Sequence, residues 1–223
     1  MANVYFKIMA EEGFLLPGGS TADYYLNLIA DETTACLNAN GISFSTQADA
    51  PENAAEIGLK TENLKSTQTP GIKIVFPSGD PESSRLAKIV LENMKKIYFN
   101  PSNIKMIPSN TPRGKGPSVT IVFENPQTEE NLIWIRQNTE ETAAQIIMSL
   151  TEFFGVPYVA CQEMQTGMAK EDESIRSRPS LISAVVGSTN KGEKVNVLGQ
   201  WEDWYIIGEN GNIGYIQTKF IEI

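Results

Sequence analysis

No histidine occurs among the 223 residues, so the commonest general base and the commonest zinc ligand are missing together. Chemistry must come from carboxylates, amines, hydroxyls or thiols. The two cysteines, Cys36 and Cys161, are far apart, and one such pair is no disulfide framework. Cys36 falls in a helical pattern and reads as a small buried apolar residue. Glu11, Glu12 and Asp23 could join round a hard cation that takes oxygen ligands, or be a solvated cluster. Asp23 has a second reading, since it stands three residues after Ser20 at capping-box spacing. The basic loop Arg113-Gly114-Lys115-Gly116 precedes a strand and could touch an anion, but is a weak phosphate-loop signal. Trp201, Trp204, Tyr205 and Tyr215 offer flat apolar faces with polar edges, fit for stacking on a ligand or for filling a small core.

The elements that must carry these residues change character along the chain. Apolar runs at Val4–Ile8, Ile42–Ser45, Ile72–Phe76 and Val119–Phe123 read as strands buried on both faces. A helix is expected after Ser20, with Tyr25, Leu28, Ile29 and Cys36 on one stripe and Gly41 beyond its end. A second starts at Asp80-Pro81-Glu82, with Asp80 as N-cap. A third region covers Glu129 to Phe154, restarting at Thr139 and ended by Gly155. Strands alternating with helices predict a mostly parallel, helix-covered sheet. From Gln162 the chain turns polar and aperiodic and reads as a linker. Short strands then follow at Lys194–Leu198, Trp204–Ile207, Ile213–Ile216 and Phe220–Ile223, with Asn210-Gly211 marking a hairpin. About 50 such residues make a small β-barrel.

The net charge of −9 argues against nucleic acid or an anionic membrane surface as main partner. No stretch approaches the roughly 20 apolar residues of a membrane-spanning helix. The opening MANVYFKIMAEEGFLL does not read as a secretory signal, so the expectation is export by another route or a leader already removed.

Three stretches resemble the C-terminal third of the zinc-dependent N-acetylmuramoyl-L-alanine amidases: Pro117-Ser118-Val119-Thr120-Ile121-Val122, Trp134-Ile135-Arg136-Gln137-Asn138, and Ser149 through Gly155-Val156-Pro157-Tyr158. The run from Asp23-Tyr24-Tyr25-Leu26 to Asp31 is similar to that family's first helix, and Ser84-Arg85-Leu86-Ala87 lies where it has a further helix. The resemblance implies a zinc held by a His after the first strand, a Glu in the first helix and a His after a middle strand, with a Glu at the end of a later strand as base. Here those positions fall near Glu11, on Asp23, on Lys60 and on Val122. Lys60 would repel a metal ion, or pair with Asp23 or Glu62, or simply be a surface lysine. Glu124 lies two residues beyond Val122 on the same strand face.

The tail resembles bacterial SH3-like domains through Ile175-Arg176-Ser177-Arg178-Pro179-Ser180, Gly187 to Val195, Trp204-Tyr205 and Gly214-Tyr215-Ile216. That family commonly binds peptidoglycan stem peptides or cross-bridges. Together these resemblances imply a degenerate amidase-like α/β domain at 1–161, a linker at 162–172 and an SH3-like barrel at 173–223. The expected function is peptidoglycan or stem-peptide binding without catalysis, metal or cofactor. The expected ligand-binding residues are Trp201, Trp204, Tyr205 and Tyr215. An active hydrolase with a carboxylate metal site, or a regulator binding another wall hydrolase, are the alternatives. The expected location is the bacterial cell wall or its exterior, with cytoplasmic storage before release also open.

Overall fold

In a computed structural model, residues 2–9, 21–64, 69–110, 114–126, 129–209 and 212–223 are described. The chain divides into two compact units, Asn3–Thr33 with Ser45–Phe153, and Met1–Ala2 with Thr34–Phe44 and Phe154–Ile223.

The larger unit contains β1 (Ala2–Met9), most of α1 (Ala22–Leu37), β3 (Ala55–Leu64), β4 (Ile72–Pro77), α2 (Pro81–Met94), β5 (Ile104–Ser109), β6 (Ser118–Pro126), α3 (Glu129–Gln137) and α4 (Thr139–Phe154); β2 (Ile42–Phe44) belongs to the other unit. Its strands lie in the order β1-β3-β6-β4-β5. Strands β1, β3 and β6 run parallel, β4 runs against β6, and β5 is parallel to β4. The fold is thus α/β, with a mostly parallel sheet and helices packed on it. Helix α2 starts where the sequence places it: the Asp80 carboxylate accepts the Ser83 amide at 3.3 Å, and Pro81 needs no amide partner there. It packs on β4, β5 and β6. Helix α4 is tied to it by Asn93 donating to Ser149 at 2.9 Å, and by the Arg85 guanidinium lying 4.0 Å above the Phe153 ring.

The two faces of the sheet are buried unequally. Ile57, Leu59, Ile72, Ile74, Val119 and Ile121 are almost fully buried and form one face. The alternate residues, among them Glu56, Lys60, Glu62, Lys73, Thr120 and Glu124, form the other and keep part of their surface. Double burial holds in β6, where Ile121, Val122 and Phe123 are all buried, while in β3 and β4 the charges of Glu56, Lys60, Glu62 and Lys73 leave the second face partly open. Strand β3, which the apolar patterning did not pick out, is central to the sheet.

The smaller unit contains β7 (Gln165–Ala169), β8 (Glu173–Arg176), β9 (Val185–Thr189), β10 (Lys194–Trp201), β11 (Trp204–Glu209), β12 (Asn212–Gln217) and β13 (Ile221–Glu222), paired antiparallel in the order β13-β7-β10-β11-β12-β8-β9. Strand β7 falls inside the stretch 162–172 read as linker and pairs with β10 and β13. Its inward residues are only Gly167 and Ala169, which leaves no apolar stripe to see in sequence. Gly167 has no room for more, as a Cβ there would lie 2.4 Å from Ile221.

Thr34–Phe44 belongs to this unit, and several bonds hold it there. Cys36 and Cys161 form a disulfide, correcting the reading of Cys36 as a lone apolar residue. The fully buried Asn40 amide donates to the Val159 carbonyl at 3.0 Å and accepts the Val159 amide at 2.6 Å, the pairing a strand partner would give. Gly41 has φ +69° and lies against the Tyr215 hydroxyl, which a Cβ would meet at 2.5 Å. Gly41→Ala is therefore expected to destabilise the protein by about 1–3 kcal/mol, from backbone strain plus overpacking. The urea midpoint reads it, and adding Tyr215→Phe should recover part of the loss. An unchanged midpoint in the single variant would contradict this contact.

Candidate functional site

The polar face of the sheet is built by register. Met9, Lys60, Val122 and Lys73 form one row across β1, β3, β6 and β4, and Glu62 and Glu124 sit side by side one step further toward the C-terminal ends of β3 and β6. The Lys73 ammonium lies between the two carboxylates, 2.6 Å from Glu124 Oε1 and 3.0 Å from Glu62 Oε2. The Glu124 side chain is only 13% exposed, so it needs a cationic partner. Burial alone would lower the Lys73 pKa, but its bonds to Glu124 and Glu62 reverse the effect and raise it. The lysine is thus held charged.

The positions expected from sequence are partly assembled. Lys60 and Val122 are neighbours across β3 and β6, but Lys60 is inside a strand rather than after one. Val122 is 4% exposed. Asp23 is in the first turn of α1, its side chain outside the described atoms, and Glu11, Glu12 and Ser20 lie outside the described residues. Glu62 is paired with Lys73, not Lys60. The signal for Lys73 was a charge in the apolar run Ile72-Lys73-Ile74, which on a packed sheet calls for a partner.

A metal has little to use here. Among the described residues no three His, Cys, Asp or Glu side chains gather to hold an ion. Zinc takes about four N, O or S ligands. This end of the sheet offers only two carboxylates, both engaged by one ammonium, so the zinc implied by the resemblance does not fit them.

At the other end of the same face is a hollow of about 350 Å³, with Tyr5, Lys7, Glu56, Ser118 and Thr120 in its wall. The Tyr5 phenol donates to Glu56 at 2.5 Å, and burial, with Glu56 beside it, pushes its pKa up. Lys115, from the basic loop, spends its ammonium on the Ala48 and Ala50 carbonyls at 3.2 and 2.8 Å. That use, rather than phosphate binding, accounts for the loop: a Cβ at Gly114 would sit 2.7 Å from Glu56, and one at Gly116 2.3 Å from the Ala54 carbonyl.

In the smaller unit, Trp204 and Tyr215 are 8% and 1% exposed and pack with Val159 and Ile206. They are core, which removes them from the expected ligand-binding set. So few large residues are available to the sheet that its aromatics are needed inside. The Tyr215 hydroxyl has no hydrogen-bond partner among the described residues, and burial pushes its pKa up to about 12, against the pull of Arg178. Trp201 and Tyr205 are half-buried and keep an exposed part.

Comparison with known proteins fits this division. Residues 174–222 match the bacterial SH3 domain family. The CwlD amidase of Clostridioides difficile, solved in complex with the GerS lipoprotein, superposes with a TM-score of 0.57 at 12% identity, covering 70% of this chain and 99% of that one. For the N-acetylmuramoyl-L-alanine amidase AmiC2 of Nostoc punctiforme the TM-score is 0.52 at 14% identity, over 68% and 97%. For Ami1 of Mycobacterium smegmatis it is 0.54 at 12%, over 69% and 97%. The α/β part has the amidase fold. No curated protein matches the sequence. At these identities the amidase likeness is one of fold, and the strand ends of this amidase-like sheet carry the Lys73–Glu62–Glu124 triad.

Proposed function

We propose that the protein is a non-catalytic peptidoglycan-binding or scaffolding protein that combines an amidase-like fold with an SH3-like tail. The observation that carries the reading is the Lys73 ammonium held between Glu62 and Glu124. It engages the two carboxylates that lie one step beyond the Lys60–Val122 row, in a chain that has no histidine. Without a Lewis acid to polarise the scissile carbonyl and a free base to activate water, the amide bond gains little acceleration. Wall association is supported by the match of 174–222 to bacterial SH3 domains and by the amidase fold. The Cys36–Cys161 disulfide supports maturation in an oxidising compartment, outside the cytoplasm. No described helix is long and apolar enough to cross a membrane.

The full chain is expected to sediment with insoluble peptidoglycan and to release no stem peptides above a buffer control. Release that scales with protein concentration would overturn the non-catalytic part. Failure to sediment would favour a second reading, a regulator of a true amidase, in keeping with the CwlD structure having been solved with a protein partner.

A further inference from the structure

A second hollow, of about 290 Å³, lies within the smaller unit. Phe154, Val156, Val186 and Ile213 make its walls apolar, and Ser177 and Arg178 supply its polar groups. Gly41 and the end of α4 complete it, so it is not a feature of the SH3-matched residues 174–222 alone. The Arg178 guanidinium lies over Gly155, where a Cβ would come within 3.7 Å of it, and makes one long hydrogen bond, 3.4 Å, to the Phe154 carbonyl. Among the described residues it has no carboxylate partner, although acidic residues outnumber basic ones by 27 to 18 in the chain. Arg178 is exposed, and a guanidinium has five donors in a planar fork that matches a carboxylate, so most of its donors are open to an incoming ligand in exchange for water.

We infer that this hollow binds the carboxylate of a short peptide with small aliphatic side chains, Arg178 and Ser177 taking the carboxylate and the apolar walls the side chains. The volume, at the lower end for small-ligand sites, suits two or three small residues and not a long acyl chain. The inference deepens the wall-binding reading and rests on it for the source of the peptide, since stem peptides carry such carboxylates.

The test uses the full chain and a defined probe, N-acetyl-alanyl-alanine, as the free acid and as its C-terminal amide, followed by NMR titration. The acid is expected to bind, and the amide at least about tenfold more weakly, the usual scale for losing a charged hydrogen bond. Arg178→Gln should weaken the acid by a similar factor and leave the amide unchanged, while Arg178→Lys should retain part of the affinity. Matching thermal unfolding curves establish that these variants fold. Equal binding of acid and amide, no binding of either, or an Arg178→Gln variant as tight as the native chain would overturn the assignment. Peptidoglycan sedimentation separates the two readings. If the native chain sediments but ignores the acid, the pocket assignment falls and wall binding stands. If it binds the acid in the arginine-dependent way yet does not sediment, wall binding falls and the pocket stands as a site for soluble peptides.

Discussion

Replacing Cys36 and Cys161 together by alanine is expected to lower the unfolding midpoint by roughly 10 °C. The bond spans a sequence separation of 125 residues, so in the unfolded chain it closes a very large loop. A chain-entropy estimate for that loop is about 5 kcal/mol, of which about 3–5 kcal/mol is the usual yield of a native bridge. For a chain of this length each kcal/mol moves the midpoint by about 2–4 °C. Reductant added to the native protein should give the same drop, and add nothing to the double variant. The buried Asn40 pairing with Val159 survives both treatments, so the segment should loosen before it detaches. A midpoint within a degree of the native value in a calorimeter would refute the expectation.

Lys73→Met should cost about 2–3 kcal/mol at neutral pH. Removing one partner of a buried pair typically costs 3–5 kcal/mol, and the 38% exposure of the Glu62 side chain reduces that figure. The methionine keeps the volume and leaves Glu62 and Glu124 adjacent with nothing between them. Adding Glu124→Gln should restore much of the loss, because the repulsion needs both charges. The pH dependence has a definite sign. The folded Lys73 pKa is raised, so its contribution is fully present below the unfolded value of about 10.4 and is lost only as pH rises through the folded one. The native protein should therefore lose this term in alkaline solution, not near neutrality. Urea midpoints of the native protein and the Lys73→Met variant from about pH 7 to about pH 11 would decide it: the difference should hold to about pH 10 and then narrow, and narrowing near neutrality would be contrary. This experiment also bears on the metal: the double variant tests whether the lysine's role is charge neutralisation.

The sequence made the helices and the hairpins legible because their determinants are local. Asp80-Pro81 marks the start of α2, Gly155 (φ +66°) the end of α4, and the β11–β12 ladder runs to Glu209 and Asn212, which flank Asn210-Gly211. Strand β3 escaped notice because Gly58, Lys60 and Glu62 dilute its apolar half, though Ile57 and Leu59 alternate with them as a one-sided strand requires. Strand β7 escaped because its inward residues are the smallest available. The Cys36–Cys161 pairing could not be read at all, since nothing local says that residues so far apart meet. At the site, the pairing of Lys60 with Val122 comes from the register of β3 against β6, which no local spacing gives. The partner of Glu62 was no more legible, because it comes from β4, whose antiparallel register against β6 is set by packing and not by any spacing in the chain.

That Thr34–Phe44 forms one compact unit with Phe154–Ile223 has a consequence for synthesis. Cys36 and Asn40 are buried in the finished protein, yet their partners Cys161 and Val159 are made more than a hundred positions later. At translation rates of 5–20 residues per second, the end of α1 waits on the order of ten seconds, apolar and with a free thiol, for its partners to emerge. A nascent chain stalled before residue 154 is thus a good substrate for chaperones and for wrong disulfides. Shortening the tail would leave the front of the molecule, as well as its end, without a finished interior.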